Sequence, residues 1–152
     1  MEMRTRDAVL KIAAWQIGVL ESPSGSNKQK YGETYGINGV AWCVQFVWWV
    51  FKEAGFNLYK TASCTVLSNR YKAAGQWVTS NYKPGDIAMF DFSGKRAKTE
   101  HTGIIERVYT DGTIITIEGN TGATNNSNGG SVMRRTRNIR YITGACRPGY
   151  NK

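Results

Sequence analysis

The first half of the chain alternates apolar and polar residues with the period of an α-helix. From Thr5 to about Leu20, apolar side chains keep helical spacing, and Asp7 lies in the first turn, where the helix dipole favours an acid. The segment 43–54, CVQFVWWVFKEA, is apolar nearly all round and precedes Gly55, a residue type that commonly ends helices. We therefore predict an amphipathic first helix and a buried central helix.

A third helix fits Thr65 to Ala74, because Ser63 can cap its beginning and Gly75 can end it. Between the first two helices, the segment Ser22 to Asn38 is rich in Gly, Ser, Asn and Lys. This composition predicts a long loop with a short turn of helix, and loops of this length often carry functional residues.

After Gly75 the pattern changes to β-branched or alternating segments separated by Gly, Asn and Asp. These segments are Ile87–Met89, Thr102–Tyr109, Thr113–Glu118, Ser131–Arg137 and Arg140–Cys146. They predict an antiparallel sheet of about five or six strands, with a hairpin loop in the Asn- and Gly-rich stretch Gly119–Gly130. Helices followed by strands are typical of an α+β domain whose N-terminal helices pack on a C-terminal antiparallel sheet.

The composition indicates one domain over residues 1–152. A chain of this length that is 41% hydrophobic can bury a core without metal clusters or disulfides. Polar residues interrupt the apolar residues near the N-terminus, so we expect no signal peptide. The longest nearly apolar run also falls well short of the roughly 20 residues that a membrane span needs.

The chain is strongly basic. Lys and Arg number 20 against 11 Asp and Glu, which gives a formal charge of +9. Such a charge favours an anionic partner, either nucleic acid, a membrane surface or an acidic polymer. One cluster, formed by Arg134, Arg135, Arg137 and Arg140, fits a solvated face as well as it fits a binding patch.

The three cysteines and the single histidine restrict the possible chemistry. Cys43, Cys64 and Cys146 form no CxxC pair, and their odd number leaves at least one free thiol. A single histidine excludes zinc hydrolases that use two or three, and we predict no metal and no cofactor. Cys64 and Cys146 have no base-like partner in sequence and are predicted to lie in the core.

Cys43 is a candidate nucleophile, because a Gly-containing loop meets the beginning of an apolar helix at this residue. The partial positive charge of a helix N-terminus stabilises a thiolate, and backbone N–H groups there can face an oxyanion. The alternative is a buried structural cysteine.

His101 is the candidate base. It opens the segment HTGIIERV and is predicted to lie at the edge of a strand, although an ordinary surface histidine is the alternative. Glu118 and Asn120 lie at the end of the following segment, from which one of them can reach the far nitrogen of His101 and fix its tautomer. Otherwise the two are a strand-end carboxylate and a turn asparagine.

Five sequence blocks in this order resemble the cysteine, histidine-dependent amidohydrolase/peptidase (CHAP) family. The blocks are GVAWCVQFVWWVF, KPGDIAMFD, EHTGIIE, TIEGNTG and RTRNIRYITGACRPGY. The chain looks most like the CHAP domains of bacteriolytic, antimicrobial endolysins from phages and prophages of Gram-positive bacteria. The resemblance therefore implies a papain-like α+β fold and degradation of the cell wall.

The resemblance also implies roles for individual residues. Cys43 would attack a peptide amide, His101 would act as base and then acid, and Glu118 or Asn120 would orient His101. The protein would be a cysteine hydrolase of peptidoglycan, either an N-acetylmuramoyl-L-alanine amidase or a D-Ala-X endopeptidase.

The chain departs from the family pattern near Cys43. Ala41 stands where many relatives have Pro, and Trp42 has no side-chain oxygen or amide for an oxyanion hole, so the second donor is unassigned. Some CHAP lysins bind calcium through an acidic loop ahead of the cysteine. Because Glu33 is the only acid between residues 22 and 42, we predict no calcium site there.

Aromatic residues ahead of Cys43 are candidates for a substrate groove. Tyr31, Tyr35 and Trp42 are predicted to contact substrate, because they lie in the loop before the nucleophile. Trp48 and Trp49 fall within the apolar helix and are predicted to lie in the core.

The predicted partner is bacterial peptidoglycan, with anionic wall polymers attracted by the positive charge. We expect a monomer that neither binds nucleic acid nor inserts into a membrane, since no basic stripe alternates with exposed aromatics. A catalytically silent wall-binding module is the main alternative. We expect the protein to be made in the host cytoplasm and to act on the wall after release by a holin or by lysis, or to be a domain of a longer lysin.

Overall fold

The computed structural model describes residues 1–151, which form four α-helices followed by six strands. The helices are α1 (Arg6–Trp15), α2 (Lys30–Tyr35), α3 (Cys43–Glu53) and α4 (Cys64–Ala73). The strands are β1 (Trp77–Val78), β2 (Ile87–Phe90), β3 (His101–Val108), β4 (Thr113–Thr121), β5 (Ser131–Asn138) and β6 (Ile142–Cys146), with a 3₁₀ turn (Ile139–Tyr141) before β6. The predicted α+β class is confirmed.

The strands form one antiparallel sheet in the order β1-β6-β2-β3-β4-β5. This order places β2 and β3 in the middle and β4 beside β3, with Ile104 opposite Ile117. The paired register of β4 and β5 shifts between Glu118 and Thr121. Such an irregularity bends a strand and re-aims its side chains, and it falls at the residues that the sequence singles out.

Most predicted helix boundaries are confirmed. Ser63 caps α4 by accepting a hydrogen bond from the backbone N–H of Val66, and Gly55 and Gly75 adopt positive φ angles after α3 and α4. The first helix is shorter than predicted and ends at Trp15. Gly18 turns the chain away with a φ of 100°, so Leu20 is 67% exposed instead of continuing the helix.

The two faces of the sheet pack against different groups of apolar residues. The main core lies between the helices and the face that carries Ile87 and Met89, and α3 packs on β3 and β4. Ala88 and Phe90 belong to a smaller apolar cluster, because successive residues of a strand point to opposite faces. The predicted packing of the helices on the sheet is therefore confirmed. Within the described residues no helix is long and apolar enough to cross a membrane.

A glycine allows the central helix to approach the sheet closely. A Cβ atom added at Gly119 on β4 would lie only 2.5 Å from Cβ of Phe46 on α3. The helix therefore contacts the β4 backbone directly at this position. Because Glu118 precedes Gly119, its side chain points to the face away from the helices, toward Phe90 and His101.

Candidate active site

Cys43 is the first residue of α3 and is 8% exposed. Its N-cap residue is Trp42, whose indole can only donate hydrogen bonds, so the first N–H groups of the helix are left to other partners. The helix terminus favours negative charge at the sulfur. Cys43 therefore belongs to the layer of helices and lies near the first residue of β3.

His101 is the first residue of β3 and is fully buried, which excludes the ordinary surface histidine. The Nε2 atom lies 2.8 Å from Oε1 of Glu118 on the neighbouring strand. Within residues 1–151, Nδ1 has no partner with good hydrogen-bond geometry, and the Cys43 thiol is the group left to interact with it.

Glu118 is held by four hydrogen bonds. Its Oε1 atom contacts His101 at 2.8 Å and accepts from Nη2 of Arg137 at 2.5 Å. Its Oε2 atom accepts from Thr116 Oγ1 at 2.5 Å and from Nε of Arg137 at 2.8 Å. Gly103 provides the space, since a Cβ atom there would lie 2.5 Å from Cγ of Glu118. The carboxylate is therefore fixed in both position and orientation.

Asn120 is not brought to His101, and Glu118 is the residue of the two that reaches the ring. Asn120 has a φ of 57°, in the left-handed region, where the register of β4 shifts. Its Oδ1 atom accepts from the Gly130 N–H at 3.1 Å, and its Nδ2 atom donates to Asn128 at 3.3 Å. Its side chain therefore closes the loop 122–130.

Two of the three predicted groove residues lie in the core, contrary to the prediction. Tyr31 and Trp42 are fully buried and stack at 5.7 Å between ring centroids. The predicted loop contains α2, which packs on α3 and carries Tyr31 inward. Tyr35 is half-buried against Trp48, with the Lys60 ammonium 4.8 Å from its ring centroid. Substrate contact through Tyr35 stays a prediction.

Arg137 is a site residue that the sequence analysis missed. It is nearly buried, and its guanidinium lies over the rings of Phe92 and Phe90 at 4.9 and 5.5 Å. Neither alternative considered for the arginine cluster, a solvated face or a binding patch, fits this residue. Finding it required the arrangement of β4 and β5, which brings an arginine to the carboxylate of Glu118.

The charges of the site are mutually stabilising. The neighbouring Cys64 thiol and, after it, His101 hold the pKa of Cys43 well below its usual value despite burial. Burial disfavours a charged imidazole, but the contacts with Cys43 and Glu118 raise the pKa of His101 to about 9. Both shifts favour a thiolate beside an imidazolium, the charge state in which a cysteine is nucleophilic.

Glu118 stays ionised in this buried site. Burial alone would raise the pKa of the carboxyl group, but the hydrogen bonds from Arg137 and His101 lower it to about 2. The ring nitrogen facing Glu118 is consequently the one that keeps its proton. His101 can then exchange a proton only through Nδ1, on the side of Cys43.

Cys64 and Cys146 are both buried free thiols. The sequence analysis missed that Cys64, the first residue of α4, lies against Cys43. The proximity of Cys43 and burial raise its pKa well above the usual value, so it remains a thiol.

Replacing Cys64 with alanine is expected to raise the pH at which Cys43 becomes reactive, because Cys43 loses the neighbouring thiol that most lowers its pKa. Alkylation of Cys43 by iodoacetamide at pH 6 should slow several-fold, as followed by intact-protein mass spectrometry across a pH series. Cys146→Ala is the matched control, since it removes a buried thiol from β6. Identical alkylation profiles in both variants would mean that Cys64 contributes only packing.

The chain is similar to proteins of a known family and to solved structures. The model of the CHAP domain family matches residues 35–120, a range that includes Cys43, His101 and Glu118. No curated protein matches the chain. The crystal structure of a wild-type endolysin, LysIME-EF1, has a TM-score of 0.63 at 17% identity and covers 97% of this chain.

The second solved structure is an N-acetylmuramoyl-L-alanine amidase from Staphylococcus aureus. It has a TM-score of 0.48 at 21% identity, with 70% of this chain and 31% of the amidase chain covered. The chain spans 66% of the length of the endolysin chain. The likeness to the endolysin shows that the two share a fold.

Proposed function

The chain belongs to the CHAP domain family, and on that premise we propose that it is a peptidoglycan hydrolase that cleaves an amide bond of the wall peptide. The observation that carries the proposal is the line of contacts from Cys43 through His101 to Glu118. A nucleophile, a base and a residue that orients the base are the three parts of a cysteine hydrolase. The protein is accordingly proposed to act through an acyl-enzyme on Cys43.

In the first half of the proposed reaction, the Cys43 thiolate attacks the carbonyl carbon of the amide. Backbone N–H groups at the beginning of α3 stabilise the negative charge on the carbonyl oxygen. The imidazolium of His101 then gives its Nδ1 proton to the leaving amine as the C–N bond breaks. A thioester on Cys43 and a neutral His101 remain.

In the second half, water replaces the amine. Neutral His101 takes a proton from the water that attacks the thioester carbonyl, and the C–S bond breaks. The acid product leaves, and the thiolate and the imidazolium are restored. Throughout both halves Glu118 accepts a hydrogen bond from the Nε2–H of His101, which supports the correct tautomer of His101 at each step.

The positive charge of the chain supports a wall polymer as the target. Gram-positive walls carry anionic polymers, and a formal charge of +9 increases the local concentration of the protein there. The attraction is expected to weaken as salt screens it. The proposed bond is either the amide between sugar and peptide or a D-Ala-X peptide bond.

Digestion of purified Gram-positive peptidoglycan tests the function. Wild-type protein is expected to release new fragments, and Cys43→Ala, incubated in parallel, is expected to release none. Mass spectrometry separates the two activities, because an amidase frees the N-terminus of the first stem residue and an endopeptidase cuts within the peptide. Absence of products from several cross-bridge types, with and without calcium, would favour a silent wall-binding module.

A further inference from the structure

We propose that Arg137 is a positioning residue that fixes the orientation and the charge of Glu118, and thereby sets the lower pH limit of the reactive Cys43–His101 pair. The proposal deepens the function proposed above and rests on it for the role of the pair. It goes beyond the three residues that carry the chemistry, since Arg137 would act only through Glu118.

The first argument is the geometry of the ion pair. Arg137 donates from Nε to Oε2 of Glu118 at 2.8 Å and from Nη2 to Oε1 at 2.5 Å. This parallel pair of bonds leaves the carboxylate one orientation, which a single-point cation would not do. Oε1 is also the atom that contacts His101. The orientation of the His101 ring on β3 therefore depends, through Glu118 on β4, on Arg137 on β5.

The second argument is the balance of buried charges. Cys43, His101, Glu118 and Arg137 are all nearly or fully buried, and they alternate in sign from thiolate to guanidinium. Without the guanidinium, burial would favour the neutral form of Glu118, because an unpaired buried carboxylate is costly. A protonated Glu118 would no longer stabilise the imidazolium. The Cys43 thiolate, without that counter-charge, would then take up a proton at a higher pH than in wild type.

The third argument is the shielding of the pair from water. The ring centroids of Phe92 and Phe90 lie 5.9 and 6.1 Å from that of His101, and both rings also cover the Arg137 guanidinium. Electrostatic interactions are stronger in such a water-excluded setting. The remaining nitrogen of Arg137, Nη1, donates to Asn126 Oδ1 at 2.9 Å, so the loop 122–130 also fixes the position of the guanidinium.

The other groups that face Glu118 are few. Thr116 on β4 donates a hydrogen bond, His101 faces it from β3, and Arg135 on β5 interacts with it through its charge alone. Arg135 donates to Thr121, to the Gly122 carbonyl and, like Arg137, to Asn126. Of these two arginines only Arg137 is hydrogen-bonded to Glu118, within residues 1–151.

The test compares Arg137→Met and Arg137→Lys with wild type. The methionine variant is expected to lose about 10- to 100-fold in kcat/KM on peptidoglycan, by analogy with the partners that orient metal ligands through hydrogen bonds. Its rate of Cys43 alkylation by iodoacetamide should begin to fall at a higher pH than in wild type as the medium is acidified. The lysine variant keeps the charge but loses the parallel bonds, so its acid limit should stay near that of wild type while kcat falls.

Arg135→Met is the matched control. It removes one positive charge and one Asn126 contact from the same strand but leaves the bonds to Glu118 intact. Its acid limit is expected to move less than that of Arg137→Met. In a Glu118→Gln background, where no carboxylate titrates, Arg137→Met should cause no further shift. Thermal unfolding of each variant reports loss of fold separately.

Three results would overturn the proposal. An acid limit in Arg137→Met that equals that of Arg135→Met would reduce Arg137 to a structural role. An undiminished kcat in Arg137→Lys would show that orientation by the paired bonds is unnecessary, and this variant decides the matter if the methionine variant does not fold. A shift that persists in Glu118→Gln would place the effect elsewhere. Because alkylation needs no substrate, an inactive wild type on peptidoglycan would contradict only the proposed function.

Discussion

Replacing Cys43 with alanine is expected to lower the rate of peptidoglycan cleavage by at least ~10⁴-fold, which is the scale seen when a catalytic nucleophile is removed. The reason is that no other thiol can take its place. Cys64 lies beside Cys43, but its pKa is raised, and Cys146 lies in the core on β6. Initial rates of fragment release, quantified by mass spectrometry over a wide range of protein concentration, measure the effect.

The fold is expected to survive this substitution. Alanine is smaller than cysteine by one sulfur atom, and the change removes a nearly buried charge, so the free energy of unfolding should change by about 1 kcal/mol or less. Cys146→Ala makes the same chemical change in the fully buried interior and should keep full activity while losing stability. Cleavage by Cys43→Ala within ten-fold of wild type would exclude Cys43 as the nucleophile.

Replacing His101 with glutamine is expected to cost ~10³-fold or more, because the acid and base of the proposed reaction is lost. Glutamine is similar in length and can still bond Glu118, which favours retention of the fold. The rate of Cys43 alkylation at neutral pH should also fall, since the thiolate loses the imidazolium beside it. Alkylation therefore reports the electrostatic part of the effect, and fragment release reports the whole.

The pH dependence provides a second readout for His101. Its pKa is raised to about 9, so the imidazolium is present below this pH and disappears as the pH rises through it. In wild type, kcat/KM should fall above about pH 9, where no proton remains for the leaving amine, and His101→Gln should lack this limb. A basic limb that survives in His101→Gln would place the acid elsewhere.

The double variant Cys43→Ala/His101→Gln should cleave no more slowly than Cys43→Ala alone, because the effects of groups that act as a unit are not additive.

A loop organised by one carboxylate encloses the buried side of the site. Asp91 accepts hydrogen bonds from the backbone N–H groups of Ser93, Ala97 and Lys98, and so it shapes the segment between β2 and β3. This segment carries Phe92, whose ring covers both His101 and Arg137. His101 is fully buried while Cys43 retains 8% exposure, so substrate is expected to approach from the sulfur side.

The local sequence determined the elements of the fold and two of the candidate site residues. Caps such as Ser63 and Gly75 and the apolar segment that begins at Cys43 act over one or two turns of chain, so they can be interpreted without the tertiary structure. The same holds for His101 at the beginning of a strand. The order of these blocks also identified the family, which the match over residues 35–120 confirms.

Only the tertiary structure decided which side chains meet. The choice between Glu118 and Asn120 depended on a register shift in β4, and the contact of Arg137 with Glu118 depended on how β5 pairs with that strand. Cys64 lies beside Cys43 because the first residues of α3 and α4 are neighbours in space. Tyr31 is buried because α2 packs on α3. Such contacts join residues far apart in the chain. They depend on strand register and packing, which local periodicity does not encode.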